Sequence, residues 1–376
     1  MKLLCFIDSL GSGGAQRQML AIAEHMIQKG HEVNVAWYIK NDFYKDRFEE
    51  IGVKCIYKEA NKFSERICFF TETVKKTDPD AILAFMLAQA VIASIYKWLT
   101  IKKRKLVISM RSNNEKSFMS YKRKFVRPLY IQANKIVCNS YAEAEVWQKH
   151  CRYLKKKIIV IPNYVNIQEK KGVLLNKYDD GIIKIIVPAN LRSEIKNPLN
   201  VAKALFLMTE NERKKIRIDW YGKRYDKDKL NPICETVEKY IQEHGLSQSF
   251  ITHDETKDIY EAMNKADVVA LFSTEEGLPN AICEGMMMGK PVMMTKVSDW
   301  EKLISENGIV CEGTDPTNIA NALRKAIKCK ENGLEKMGEK SYIIAQSLFD
   351  ESKITSQWES VFILQNLNQR GEDVCK

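Results

Sequence analysis

The chain has 376 residues, of which 45% are apolar and 28% charged, and a formal net charge of +11. That length suits two domains better than one core, and the composition excludes a disordered or low-complexity chain. No apolar run approaches the ~20 residues a membrane span needs.

The first apolar run, Leu3–Ile7, reaches Asp8 too soon for a signal peptide and predicts a buried strand in a cytoplasmic chain. Gly11-x-Gly13-Gly14 follows as a tight strand-to-helix turn. Met19, Ile22, Ala23, Met26 and Ile27 then recur at helical spacing, and Gly30 supplies the stop. Val33–Tyr38, Val53–Tyr57, Ala81–Phe85, Leu106–Met110, Ile136–Cys138 and Ile158–Ile161 predict further strands.

Much of the positive charge lies in Lys102-Lys103-Arg104-Lys105 and in Lys122-Arg123-Lys124 with Arg127. These runs suit an anionic membrane surface at the inner face, or simply a solvated lysine-rich exterior; no usual nucleic-acid module accompanies them. Phe118–Tyr130 interleaves Tyr121 and Phe125 with the second run and predicts an amphipathic helix, either interfacial or ordinary.

Residues 166–180 are polar and lysine-rich and read as a linker. The alternation then restarts with Ile182–Val187, Ile216–Trp220, Phe250–Ile251, Val268–Phe272 and Val292–Thr295. Strand–helix repetition of this kind demands parallel sheets covered on both faces. The predicted organisation is therefore α/β: two Rossmann-like domains over 1–165 and 181–350, with ligand at the carboxyl ends of the strands. The final segment, 351–376, contains a helix expected to pack back on the first domain.

Ten cysteines without CxxC pairs or histidine partners read as reduced thiols, and no metal site is expected. Asp226-Lys227-Asp228 spells a metal-binding D-x-D, but in a lysine-rich loop after Gly222 it reads as a turn and helix cap.

The sharpest pattern runs from Ser273 to Val292: Ser-Thr-Glu275-Glu276-Gly277-Leu278-Pro279-Asn280, then Glu284-Gly285, then Gly289-Lys290-Pro291-Val292. A buried strand ends at Phe272, a turn holds Gly277 and Pro279, and a helix begins near Asn280. Its unpaired first amides suit a phosphate, and Glu276 and Glu284 can face one cleft.

This stretch resembles the signature of the retaining glycosyltransferases of family four, which have the GT-B architecture of two Rossmann-like domains facing across a cleft. Further matches keep the family's order: Gly13-Gly14-Ala15-Gln16-Arg17; Asn139-Ser140 with Ile161-Pro162-Asn163; Asn190-Leu191-Arg192 with Lys196-Asn197-Pro198; Ala266-Asp267; and Glu306-Asn307-Gly308. The resemblance implies transfer of a hexose or N-acetylhexosamine from a UDP-sugar to a glycan, lipid-linked in polysaccharide or glycolipid synthesis, without a metal.

It also implies roles. Arg192 and Lys196 would neutralise the departing diphosphate, where negative charge accumulates as the sugar–phosphate bond breaks. Glu276 would hold sugar hydroxyls, and the amides around Gly277, Leu278, Pro279 and Asn280 the sugar and phosphate. Glu284 would accept from the ribose, and Gly13-Gly14 would let backbone approach the diphosphate. Many relatives carry a histidine in the first domain near the reacting carbon; this chain has none between His31 and His150. Arg111, with Asn113, is the acceptor-side candidate to replace it, or a plain structural arginine. His253 stands near the expected nucleobase, either touching it or capping the helix expected near Thr256. Two rival readings are a nucleotide-sugar epimerase or hydrolase on the same fold, and a non-catalytic basic protein that binds nucleic acid.

Overall fold

The computed structural model describes residues 1–102, 104–111, 125–165, 181–226, 229–330 and 333–363. They fall into two compact units, one drawn from Met1–Tyr164 and Glu351–Lys376, the other from Val165–Asp350.

The first unit is built on strands β1 (Lys2–Phe6), β2 (Glu32–Trp37), β3 (Lys54–Tyr57), β4 (Ala81–Phe85), β5 (Lys105–Met110), β6 (Lys135–Cys138) and β7 (Ile158–Val160). They pair in parallel in the order β3-β2-β1-β4-β5-β6-β7. Parallel neighbours need crossovers. Those are α1 (Gly14–Gln28), α2 (Lys45–Glu50), α3 (Phe63–Thr77), α4 (Leu87–Leu99) and α5 (Tyr141–His150). Leu4, Phe6, Ile82, Ala84, Leu106 and Ile108 form one buried cluster with Phe69, Phe70, Val74 and Ile92 of α3 and α4. Leu3, Cys5, Leu83 and Val107 alternate with them and are also fully buried. Burial on both faces, at about 1.5–3 kcal/mol per large side chain, explains why these strands are apolar throughout rather than alternating.

The second unit carries β8 (Ile183–Pro188), β9 (Ile216–Tyr221), β12 (Phe250–His253), β13 (Val268–Leu271), β14 (Val292–Thr295) and β15 (Gly308–Cys311), in the parallel order β12-β9-β8-β13-β14-β15. Between β9 and β12 lies a small antiparallel hairpin, β10 (Tyr225–Asp226) with β11 (Lys229–Leu230). Its helices are α6 (Pro198–Phe206), α7 (Glu210–Arg213), α8 (Pro232–Glu243), α9 (Ile259–Lys265), α10 (Asn280–Met287), α11 (Trp300–Leu303), α12 (Pro316–Lys330) and α13 (Leu334–Leu348). The chain then returns to the first unit as α14 (Glu351–Ile363), which packs on α1 and β5. Gln18 of α1 clasps the backbone of Tyr164, donating to its carbonyl at 2.6 Å and accepting from its amide at 2.7 Å. The Tyr164 hydroxyl in turn hydrogen-bonds the Glu351 carboxylate.

Both sheets are the expected Rossmann-like ones. The strand β15 and the hairpin escape the sequence reading, because runs of four and two residues carry too little pattern. The basic runs depart from expectation. Lys102 and Arg104 both pair with Asp78, Lys105 donates to the Phe362 carbonyl at 3.0 Å, and Arg127 is buried. Arg104 and Lys105 are thus held by acceptors from elsewhere in the unit and Arg127 is buried, so these three do not form one solvated cationic run. Of the expected helix over Phe118–Tyr130, the described part is helical only at Phe125–Val126, then tightens to a 3-10 turn, Arg127–Gln132, with Pro128 at its start. Asn113, Lys103, Lys122–Lys124 and the linker 166–180 lie outside the described residues. Among those described, no helix is long and apolar enough to cross a membrane, and no three His, Cys, Asp or Glu side chains group to hold a metal ion.

Candidate functional site

In the second unit the strand order reverses between β8 and β13, so the loops leaving their carboxyl ends diverge and open a crevice, the usual ligand position in such sheets. The loop after β8 is firmly seated. Trp220 Nε1 donates to the Ala189 carbonyl at 2.8 Å, and Leu191 is fully buried. Gly222 passes so close that a Cβ there would stand 2.0 Å from the Ala189 oxygen. Asn197 closes the loop at φ +66°, a left-handed conformation asparagine tolerates, and donates to the Thr314 carbonyl at 2.7 Å.

The loop after β13 is tied to the first one. The Thr274 amide donates to the Ile195 carbonyl at 2.8 Å, and Thr295 Oγ1 to the Ser273 carbonyl at 2.6 Å. Gly277, Leu278 and Pro279 are buried, and α10 begins at Asn280. No side chain caps it at Pro279 and its first turn holds no acid. The positive end of the helix therefore lies at the crevice with no acid in its own first turn.

Across this junction the structure brings Lys196 and Glu276 together. Lys196 Nζ pairs with Glu276 Oε1, which also accepts from Ser273 Oγ at 2.7 Å. The two side chains are 24% and 13% exposed, enough for a ligand to reach them and little enough for the attraction to matter. Glu284 follows on α10, 5% exposed. Glu275, beside Glu276 in the motif, has one carboxylate oxygen buried with no hydrogen-bond donor among the described residues. Sequence reasoning passed over Glu275; its position beside Glu276 was the available signal.

Arg192 is placed differently from Lys196. Its guanidinium pairs with Asp226 and donates to the Tyr225 carbonyl at 3.1 Å, while its amide donates to Asn190 Oδ1 at 3.1 Å. The two cations expected to act together are thus each matched with a separate carboxylate. Asp226 belongs to the hairpin, as a turn residue would, but the cap of α8 is Asn231, whose side chain accepts from the Ile233 amide at 2.9 Å. Lys227 and Asp228 lie outside the described residues.

Other motif residues hold α10 in place. A Cβ on Gly285 would lie 2.8 Å from Val269 Cβ and Cγ2, so the helix rides directly on β13. Lys290 is buried and donates to the carbonyls of Asn264 (2.8 Å) and Ala266 (2.9 Å); burial lowers its ammonium pKa to about 8. Asn307, fully buried, bonds the Leu303 carbonyl, Ser341 Oγ and the Ser305 amide. A Cβ on Gly308 would stand 2.2 Å from the Val292 oxygen. Asp267 accepts from the Lys184 amide at 2.8 Å, fixing the start of β8.

His253, at the end of β12, stacks on Tyr221 at 4.2 Å, and its Nε2 meets Asp219 Oδ1 at 2.7 Å. It caps nothing: α9 starts at Ile259 behind Asp258, later than the sequence suggested.

In the first unit Gly13 precedes α1 in extended conformation, again without a side-chain cap or an acid in the first turn. At the end of β4, Met86 adopts φ +73° and ψ 171°, a region essentially reserved for glycine. Its amide donates to the Ser109 carbonyl at 2.9 Å, and Gln89 of the following turn is buried against Phe85, Tyr38 and Asp8. Arg111 is buried at the end of β5. It lies between the rings of Phe85 (4.9 Å) and Trp358 (5.6 Å), and donates to Ser109 Oγ at 2.9 Å and to Asn163 Oδ1 at 2.5 Å. Burial lowers its pKa to about 10. Ser140 caps α5, accepting from the Glu143 amide at 3.2 Å.

Comparison with known proteins agrees with this fold. Structures of similar fold include HepE of Anabaena in complex with UDP-glucose (TM-score 0.82, 18% identity, 97% of this chain and 100% of that one). Others are sucrose-phosphate synthase of Thermosynechococcus elongatus (0.77, 14%, 97% and 98%) and WaaG, a glycosyltransferase involved in lipopolysaccharide biosynthesis (0.68, 14%, 97% and 99%). At such identities the likeness speaks to the fold, which is GT-B. No curated protein matches the sequence. Residues 183–329 match the family described as Glycosyl transferases group 1, and residues 12–169 that described as Glycosyltransferase Family 4. One match spans the second sheet with Lys196 and Glu276 and the other spans β2 to β7 of the first sheet with Gly13 and Gly14, so the chain belongs to the family-four, group 1 glycosyltransferases.

Proposed function

We propose that this glycosyltransferase moves a hexose or N-acetylhexosamine from a UDP-sugar to a glycan acceptor, lipid-linked at the inner face of a membrane, with retention and without a metal ion. The observation that carries the reading is the Lys196–Glu276 pair, set beside the uncapped start of α10 at the switch point of the second sheet. An arriving diphosphate places negative charge where the helix end and Lys196 offer positive charge. Glu276, released from part of its bond to Lys196, is then free to accept from sugar hydroxyls. As the sugar–phosphate bond breaks, the leaving nucleotide gains charge, and fixed donors stabilise that state more than the ground state. Arg192 contributes only if a ligand draws it from Asp226. Gly13 and Gly14, at the start of α1, offer backbone amides of the first unit. That HepE has been seen with UDP-glucose on the same fold favours a UDP-sugar here.

The test is Glu276→Gln. Loss of the carboxylate should lower kcat for transfer by about 10²-fold or more, as removal of a fixed transition-state group does, while UDP affinity stays within severalfold. Full activity in that variant, or loss of transfer on adding a chelator, would refute the assigned carboxylate role or the metal-free reading respectively.

A further inference from the structure

The donor reading leaves the acidic motif that starts at Asp226 without a role, yet the fold places Asp226 with care. Its Oδ1 takes the Arg192 guanidinium, and its Oδ2 accepts from Asn231 Nδ2. Asn231 is itself fixed, because its Oδ1 caps α8 and its amide donates to the Arg224 carbonyl at 3.0 Å. Arg224 then ties the start of the hairpin to α8, its Nε donating to Glu238 Oε1 at 3.1 Å. The antiparallel pairing of Tyr225 with Leu230 and of Asp226 with Lys229 completes the frame. The helix and the hairpin together decide where this carboxylate stands.

What it meets is a cation of the loop that leaves β8, the same loop that carries Lys196. The two side chains are 23% and 53% exposed. An ion pair so open to water is weak, and an incoming anion can displace it. The bond from Asn231 and the charge of Arg192 hold the Asp226 carboxyl below the usual carboxylate range, so it is ionised at neutral pH. It gives Arg192 the kind of partner that a phosphate oxygen would give.

We propose that Asp226 is an internal counter-anion, competing with the phosphates of the nucleotide for Arg192 and so limiting how tightly that nucleotide is held. The proposal rests on the donor reading above. A diphosphate carries more negative charge than one carboxylate and wins the cation. The released nucleotide carries more still, because its terminal phosphate is no longer esterified, and strong retention of it would slow turnover. Asp226 opposes that retention by taking Arg192 back as the product leaves.

The experiment is titration calorimetry of the full chain with UDP and with inorganic pyrophosphate. Asp226→Asn keeps an oxygen for Asn231 and removes the charge. It should bind both ligands about two- to fivefold more tightly at low salt, the range open to an exposed ion pair, and the gain should shrink at high salt. In an Arg192→Met background the same substitution should change nothing. Asp226→Ser, a second neutral replacement, and thermal unfolding of each variant guard against a folding artefact. Weaker binding in Asp226→Asn would overturn the proposal, since the carboxylate would then orient Arg192 for the ligand. Unchanged affinity would overturn it too, as would a gain that persists without Arg192. A wild type that binds UDP no better than pyrophosphate would refute the nucleotide reading alone, and the pyrophosphate titrations would still judge Asp226.

Discussion

The seat of α10 on β13 yields a quantitative prediction. In Gly285→Ala the new methyl would sit 2.8 Å from Val269 Cβ and Cγ2 and 3.1 Å from Cγ1. Carbon atoms pack at about 3.5–4.0 Å, so helix and strand must part by roughly 1 Å. The strand β13 is bonded to β8 on one side and β14 on the other, so the helix is what moves. Overpacking of this kind costs about 1–3 kcal/mol, offset by ~1 kcal/mol from the better helix propensity of alanine. The net effect on melting temperature is a fall of a few degrees, at about 2–4 °C per kcal/mol for a unit of this size. Catalysis should suffer more. The first turn of α10 carries the amides that face the crevice, and a displacement of ~1 Å at a reacting centre can cost about 10²-fold. Steady-state kcat/KM for sugar transfer, measured beside thermal unfolding, reads both effects. Val269→Ala in the same chain removes both γ-methyls but leaves the Cβ contact at 2.8 Å, so it should restore only part of the lost activity, a non-additive result. If Gly285→Ala melts and turns over like wild type, the contact does not set the helix position and the reasoning fails.

Three further predictions rest on other groups. Burial lowers the Lys290 ammonium from 10.5 to about 8, so between those pH values the unfolded chain holds the extra proton and folding stability rises with pH. Wild type should therefore gain on Lys290→Met by up to about 1.4 kcal/mol per pH unit across that window, a trend denaturant titrations at several pH values would detect or exclude. Asn307→Ala removes three bonds from a fully buried amide and should cost about 2–4 kcal/mol, seen as a lower unfolding midpoint; a midpoint equal to wild type would contradict it. Met86→Gly should be more stable than Met86→Ala by about 1–2 kcal/mol in urea, because only glycine adopts the backbone angles at that position without strain; the reverse order would mean the strain is not there.

Both sheets could be read from the sequence because their strands are buried on both faces and appear as short apolar runs between helical patterns. The run around Glu276 could be read because glycine, proline and carboxylates stand there at fixed offsets from a buried strand. Legibility stopped where a residue's meaning depends on a distant partner. Lys290 sits inside a motif, yet its work is to close two carbonyls of the segment before β13, and no local pattern announces that. Arg192 reads as a phosphate cation, and no local pattern announces that the hairpin brings Asp226 to pair with it. Arg111 follows its strand as a site residue would, but α14, far along the chain, brings Trp358 against it. Met86 carries no signal at all, since methionine is the last residue type one would place in a glycine conformation. Trp98, Leu99 and Ile101 look like a continuation of an apolar helix; only the fold shows them exposed.

The clasp of Tyr164 by Gln18 and Glu351 has a topological consequence. The chain leaves the first unit at Tyr164 and re-enters it at Glu351, and these two residues touch. The whole of Val165–Asp350 is therefore an insertion whose ends emerge side by side from a host that is otherwise complete. Closing the host with a few glycines and serines across that gap demands little loop-closure entropy, which predicts that the first unit, so joined, folds as a single-domain protein.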